Sequence, residues 1–500
     1  MLYWNFYFLA KFYLHFREHI HIHFGANLVL IIFLLIFSAM GFFRKLPKKI
    51  QFILSIFVAI SLLWYESWLP PFRFVFQFLT DPAQRPSKEY MVEFLRQALN
   101  PLELLLLIGL GVLCCLAYRK RVRLTPFVLV FLFMTPLYGS SPNLNSALDQ
   151  FFRLESKRVV HFSALPASPD FDIVLLHVCS LSWDDLKAVG LQNDSFFSQF
   201  DYLLTQFNTV TGYSNPAAYH LLRANCGQSS HDRLYTDVSR ECYMMENLRG
   251  AGYRTYTVFN HDGKYSEMAK GVVAQGKADP MMEVEGLPAE EYNFDNSPIY
   301  NNYAILKRWW ELRQSHGSKR AVVYYNSITL HDGARRASQE KGVPKPRSVM
   351  YKEFAQSLFR DLERFFDLLS SSNRNVVVVF VPEHGAALQG TKIQTAGLRE
   401  IPLPQITTVP VGIKFIGKGY VHLAQKPKTI DKPVSYLAIA HLLASFLKIS
   451  SFAERGAENA FFTIPETGFM AENQHACVLK SRNGFFYRGK QKKWIKLPNT

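Results

Sequence analysis

Residues 171–180 read FDIVLLHVCS and residues 375–385 read NVVVVFVPEHG. Both begin as continuous apolar, β-branched runs of strand length, and both run straight into groups that bind metals: Cys179 after the first, Glu383 and His384 after the second. Apolar runs without alternation belong to strands covered on both faces, as in a parallel sheet flanked by helices. TYTVF (255–259), AVVYYNS (321–327) and VPVGIKFIG (409–417) have the same character. Between them, 216–223, 351–369 and 435–447 read as helices, the last two with apolar residues at roughly 3.6-residue spacing. The alternation predicts an α/β domain with a mostly parallel central sheet. No internal repeat or low-complexity tract interrupts it.

In open α/β sheets the site forms at the carboxyl ends of the strands. There the sequence places Cys179, then His331 and Asp332 in TLHDG, then Glu383 and His384 in PEHG. A thiolate, an imidazole and a carboxylate at one rim suit zinc. TGYSNPAAYHLL (211–222) adds a hydroxyl, with Ser214 where an N-cap would stand and Pro216 just inside the helix. A hydroxyl there faces the positive end of the helix dipole, which favours phosphate, and a nearby metal would lower its pKa. Each residue also has an ordinary reading: Cys179 as a small buried hydrophobe, Ser214 as a cap, Glu383–His384 as a solvated loop, His331 as a satisfied histidine. Their coincidence at one rim is what points to chemistry.

The first 138 residues are of another kind. Apolar segments at 25–43, 50–65, 102–118 and 124–138 read as membrane spans, and a fifth, 3–16, either spans or lies in the interface. The chain carries a net charge of +16, and residues 1–138 hold 14 Lys/Arg against 6 Asp/Glu. Eight of these cations sit in 44–49 and 119–123, beside apolar runs, which is the pattern of cytoplasmic loops and not of a nucleic-acid surface. Nucleic acid is therefore not an expected partner. Residues 139–170, rich in Ser, Pro and Asn, read as a linker, and 171–500 as an extracytoplasmic domain. That compartment is oxidising, and Cys226 and Cys242 bracket a short polar segment that a disulfide would close. Cys114 and Cys115 fall inside a span.

WNFYFLAKF, ESWLP, CSLSWDDLKAVGL, YSNPAAYHLLRANCGQSSH, LHDG, VPEHGAALQG and GLREIP resemble the BcsG-type cellulose phosphoethanolamine transferases of the alkaline phosphatase and sulfatase superfamily. The similarity runs from the membrane region to about residue 415 and fades in the last 80 or so residues. It implies one zinc held by Cys179, Ser214, Glu383 and His384, with Ser214 also the nucleophile. It implies that His331, Tyr213 and Arg399 line the phosphate site and that Cys226 and Cys242 are bonded. Cys179 where most of the superfamily has a carboxylate, and Glu383 where Asp is usual, both fit this family; a sulfatase would need CxPxR at the nucleophile, which TGYSNPAA lacks.

The implied reaction takes phosphoethanolamine from phosphatidylethanolamine to a cellulose hydroxyl through a phosphoserine-type intermediate, with His331 moving protons in one or both steps. The implied setting is a bacterial inner membrane, with several spans, a periplasmic catalytic domain and contacts with cellulose synthase subunits. Two other readings stand beside it: another envelope acceptor, such as lipid A, teichoic acid or a glucan, or a non-catalytic scaffold of a polysaccharide synthase.

Overall fold

The computed structural model describes residues 2–17, 20, 22–39, 47–67, 101–135, 144–163, 170–284, 286–338, 345–391, 393–417, 427–448, 463–489 and 494–497. Strands in chain order are β1 (Phe171–Val178), β2 (Tyr202–Asn208), β3 (Arg254–Phe259), β4 (Ala289–Tyr292), β5 (Pro298–Tyr300), β6 (Ala321–Ser327) and β7 (Arg335–Arg336). They continue with β8 (Asn375–Pro382), β9 (Thr408–Ile416), β10 (Lys428–Ile430), β11 (Met470–Asn473), β12 (Ala476–Ser481), β13 (Gly484–Arg488) and β14 (Trp494–Lys496). The main sheet has the order β10-β2-β9-β8-β1-β6-β3. Strand β9 alone runs antiparallel to its neighbours, so the sheet is mostly parallel, as expected.

All eight residues of β1 are buried because helices cover both faces. Ile173 and Leu175 pack on one face with Leu221, Val272 and Leu443, which come from helices Ser214–Leu222, Met268–Gly276 and Tyr436–Phe446. Val174, Leu176 and Val178 pack on the other with Trp309, Leu358 and Phe365, from helices Asn302–Ser315 and Arg347–Ser370. The foot of β1 is pinned by charge: Asp172 accepts from Arg313 Nε at 2.7 Å and from the Ala321 amide at 2.7 Å. The reactive groups lie at the opposite end.

The helices run close to their expected bounds, but two parts of the chain differ from the reading above. Inside 139–170, read as a linker, Asn145–Glu155 forms a helix whose Leu148 packs with Met470, Leu479, Phe486 and Trp494. Its polar residues are the solvent face of an amphipathic helix. The last residues form a second, four-stranded antiparallel sheet, β11 to β14. One of its faces takes that helix; the other, through Val478 and Tyr487, packs on Ala387, Ile401 and Leu403.

Towards the N-terminus, helices cover Leu2–Phe16, Phe24–Ala39, Lys48–Glu66, Pro101–Arg119 and Thr125–Met134. Lys48–Glu66 and Pro101–Arg119 are long and apolar enough to cross a membrane. Lys11, Asn27 and Glu66 from three of these helices form a buried ion pair and hydrogen-bond cluster. Arg44 and Lys45 of the first basic stretch, and residues 40–43 and 136–138 of the expected spans, lie outside the described residues.

Cys226 and Cys242 are bonded, with S–S 2.07 Å across 16 residues. Closing a loop of this size contributes about 3 kcal/mol by restricting the unfolded chain. Replacing both cysteines with alanine is expected to lower the unfolding free energy by that order in urea titrations. A change near zero would mean that the loop is already restricted when unfolded.

Candidate active site

The register of the central strands creates the site. Val178 is paired with Pro382 on one side and Ser327 on the other, so Cys179 and Glu383 leave adjacent strands at one level. The Cys179 amide donates to the Ser327 carbonyl at 2.8 Å, the Glu383 amide to Val178 at 2.8 Å and the Leu181 amide to His384 at 2.7 Å. These bonds fix three strand ends as one rim. Ser180, at φ +62°, turns the chain sharply away just after the thiol. Gly385 is required for close approach: a Cβ there would lie 2.6 Å from both Asp185 Oδ2 and Ser182 Oγ. Asp185 in turn accepts from the Ala386 and Leu388 amides at 2.7 and 2.9 Å, holding the loop that follows His384.

Cys179 Sγ, His384 Nε2 and a Glu383 oxygen all lie within 4.8 Å of one another and are buried. The protonation pattern is set by the backbone. His384 Nδ1 faces the Gly385 carbonyl at 2.9 Å, which can only accept, so Nδ1 carries the proton and Nε2 presents its lone pair to the cluster. Glu383 Oε1 accepts from Asn326 Nδ2 at 2.5 Å, whereas Oε2 is buried with no hydrogen-bond partner. Ser214 Oγ completes the group at 3.4 Å from Cys179 Sγ and 3.2 Å from His384 Nε2. Burial pushes the Cys179 thiol up to about 12 and the Glu383 carboxyl up to about 7, and lowers His384 well below the usual imidazole range. An orphaned carboxylate oxygen facing a thiol and an imidazole lone pair fits a soft-to-borderline divalent metal with four protein ligands.

Ser214 is the first residue of its helix and not its cap; Tyr213, at φ −135° and ψ 145°, is the N-cap residue. The shift leaves the hydroxyl free, since Ser214 is not needed to satisfy the helix end. The Ala217 amide bonds to Tyr213 and Pro216 has no amide hydrogen, so Ser214 and Asn215 supply the helix's free N–H groups.

Arg399 adds the positive charge. Its Nε and Nη1 are buried without a hydrogen-bond partner, and its guanidinium lies 5.9 Å from the Tyr213 ring centre. Its field reaches His331, His384, Cys179 and Glu383. With two of its three guanidinium nitrogens buried and, among the described residues, no carboxylate within ion-pair distance, this half-buried cation suits a bound anion. The Tyr213 hydroxyl donates to Glu400 Oε1 at 2.9 Å, so this residue meets the site through its ring beneath Arg399.

His331 is stacked on Phe294, with centroids 5.3 Å apart, and its Nδ1 donates to the Asp332 carbonyl at 3.1 Å. Burial first, and Arg399 second, lower its pKa to about 4, so it is neutral at pH 7 with Nε2 as a proton acceptor. Asp332 is drawn away from the ligands into an ion pair with Arg347 at 2.7 Å, and Arg347 also donates to the Ala386 carbonyl at 3.0 Å. His261 is likewise committed: Nδ1 accepts from the Gly263 amide at 3.1 Å and Nε2 donates to Asn326 Oδ1 at 3.0 Å. Among the described residues, Cys179, Glu383 and His384 form the one cluster with metal-ligand spacing.

Sequence reasoning missed Asp185, Asn326 and Arg347. They act through contacts 39 or more residues away in the chain, for which no local pattern exists.

The family profile described as the cellulose biosynthesis protein BcsG C-terminal domain matches residues 136–494, and that of the BcsG N-terminal domain matches residues 4–137. The cellulose biosynthesis protein BcsG of Escherichia coli (strain K12) is 32% identical, with 99% of this chain and 96% of that protein covered. The match thus extends through the C-terminal sheet, beyond residue 415, where the motif resemblance fades. Among solved structures, an alkaline phosphatase superfamily protein from Vibrio parahaemolyticus has a TM-score of 0.48 at 13% identity, covering 73% of this chain and 92% of its own. The periplasmic domain of EptC from Escherichia coli has a TM-score of 0.45 at 14% identity, covering 65% of this chain and 95% of its own.

Proposed function

The chain belongs to the BcsG family of cellulose biosynthesis proteins, and from that premise we propose that it is a zinc-dependent transferase moving phosphoethanolamine from phosphatidylethanolamine to cellulose. The observation that carries this reading is the helix-opening Ser214 hydroxyl held 3.4 Å from Cys179 Sγ and 3.2 Å from His384 Nε2, beside the unpaired Arg399. Cys179, Glu383, His384 and Ser214 are the proposed ligands of a single zinc. Bound there, zinc would supply Lewis-acid charge that lowers the hydroxyl's pKa and stabilises a phosphoryl group.

The chain's own groups divide the remaining work. Ser214 Oγ gives up its proton and attacks phosphorus; the phosphorus–oxygen bond to diacylglycerol breaks, the departing oxygen takes up a proton from solvent, and a phosphoethanolamine ester of Ser214 is left. The two free helix amides and the Arg399 guanidinium receive the phosphoryl oxygens. His331 Nε2, unprotonated, takes the proton of the incoming glucose hydroxyl, whose oxygen displaces Ser214, and the proton then returns to Ser214 Oγ. Residues 1–138 form the proposed multi-pass anchor in a bacterial inner membrane. That anchor brings the periplasmic domain of 171–500 to a lipid donor and to a glucan leaving its synthase subunits.

The test is to incubate the full chain with phosphatidylethanolamine vesicles and, in parallel, cello-oligosaccharides or lipid A, and to weigh both acceptors. A phosphoethanolamine increment that disappears on chelation is expected; an increment on lipid A with none on glucan would overturn the acceptor. His331→Ala is expected to slow turnover by about 10²- to 10⁴-fold while the Ser214 adduct still forms and accumulates. Loss of the adduct in that variant would place His331 in the first step instead.

A further inference from the structure

Arg399 raises a question of position, because among the described residues its Nε and Nη1 have no hydrogen-bond partner to hold the guanidinium. The same is true of the turn before Ser214, which must present a hydroxyl and two amides at a fixed distance from that cation. Neither segment belongs to the main sheet, and the two are separated by about 185 residues of chain.

Besides the Tyr213–Glu400 hydrogen bond, one buried side chain from the C-terminal sheet joins them. Asn473, the last residue of β11, is 3% exposed. Its Oδ1 accepts from Thr211 Oγ1 at 2.8 Å and from the Gly212 amide at 3.0 Å, both in the turn leading to Ser214. Its Nδ2 donates to the Arg399 carbonyl at 2.7 Å and to the Glu400 carbonyl at 3.0 Å. An amide side chain has two acceptor sites and two donors, and all four are used. The orientation is fixed too, since a flipped amide would set its oxygen against two carbonyls and its NH₂ against an N–H. The fit is close: a Cβ at Gly212 would stand 3.0 Å from the Arg399 carbonyl and 3.4 Å from Asn473 Nδ2. Next to it, the Glu472 amide donates to the Val210 carbonyl at 2.7 Å. Behind it, Val478 and Tyr487 pack on Ile401 and Leu403 of the Arg399 segment.

We propose that Asn473 is a positioning residue that couples the Ser214 turn to Arg399, and that delivering it is a function of the C-terminal sheet. The inference rests on the transferase reading for its catalytic consequence and on geometry alone for the coupling. Asn473 touches none of Cys179, Glu383 or His384, so its loss should spare the metal.

Two measurements on the full chain keep these apart. In Asn473→Ala, amide hydrogen exchange is expected to speed up together in peptides covering 209–214 and 398–402, with zinc content unchanged. Where that variant does not fold, Thr211→Val, which removes one of the four bonds, is expected to show the same paired change at smaller size. Unchanged exchange in either loop overturns the coupling, whatever the enzyme does. For the consequence, the rate of phosphoethanolamine adduct formation on Ser214 from phosphatidylethanolamine should fall about 10²-fold in Asn473→Ala, the usual penalty for a misplacement near 1 Å. The loss should appear in the maximal rate and not in donor KM. In an Arg399→Ala background the same change should cost less than about threefold, because residues acting as a unit are non-additive. Fully additive losses would reduce Asn473 to a general support of the fold and overturn the proposal. A wild-type protein that forms no adduct would defeat the transferase reading while the exchange result still decides the coupling.

Discussion

Ser214→Ala is expected to abolish transfer, lowering turnover to the limit of detection, while leaving the domain folded and still able to bind one metal. The hydroxyl is the one group in the cluster whose loss leaves nothing for the phosphoryl group to bond to in a double displacement. The fold does not depend on it. Ser214 makes no capping bond, its helix is capped at Tyr213, and its neighbours Pro216 and Ala217 are buried by their own contacts. Cys179, Glu383 and His384 are held by β1, β8 and the bonds between them, and do not need the hydroxyl to stay together. Zinc content near one per chain with an unchanged melting transition, and no phosphoethanolamine on glucan or enzyme, is the expected set of results. Full turnover in this variant, or an adduct on another residue of the wild-type chain, would remove Ser214 as the nucleophile.

The central sheet was legible because its strands are unusually uniform. FDIVLLHV and NVVVVFV contain no polar residue except Asp172, His177 and the leading Asn375, and burial on both faces leaves that mark on composition. YLLTQFN and KTI carry no such mark. Thr205 and Gln206 of β2 are only partly buried or exposed, and β10 is a three-residue edge strand that faces solvent. Direction was harder than existence: β9 has the same apolar run as its parallel neighbours and is antiparallel.

The site divides in the same way. Cys179, Glu383 and His384 were readable because they sit in chain order immediately after strands, where an α/β sheet presents its chemistry. The C-terminal sheet was not, since β11 to β14 have short alternating patterns with charged residues, and their role comes through Asn473, a residue with no local signal at all. The distinction between Ser214 as cap and Ser214 as first helical residue also has no signature in SNPAA, because a serine suits either place.

Metal affinity should depend steeply on pH, in a direction fixed by the buried ligands. Without metal, the Cys179 thiol lies near 12 and the Glu383 carboxyl near 7, both raised chiefly by burial. His384 is lowered, so it is neutral across the range and releases no proton on binding. A metal ligand must be deprotonated, so a metal held by the proposed ligands would have to displace the thiol proton at every pH below about 12 and also the Glu383 proton below about 7. Affinity therefore rises with pH, by about tenfold per unit between 7 and 8 with one proton released, and approaching a hundredfold per unit below 7 with two. From pH 6 to pH 8 the total is about 10²- to 10³-fold. Chelator competition on Ser214→Ala protein is the clean measurement, because the serine hydroxyl then contributes no proton of its own. In the double variant that also carries Cys179→Ala, the slope between pH 7 and 8 should vanish, leaving only the Glu383 dependence below 7. An unchanged slope in that double variant would mean that the thiol is not a zinc ligand, and the four-ligand site would fall with it.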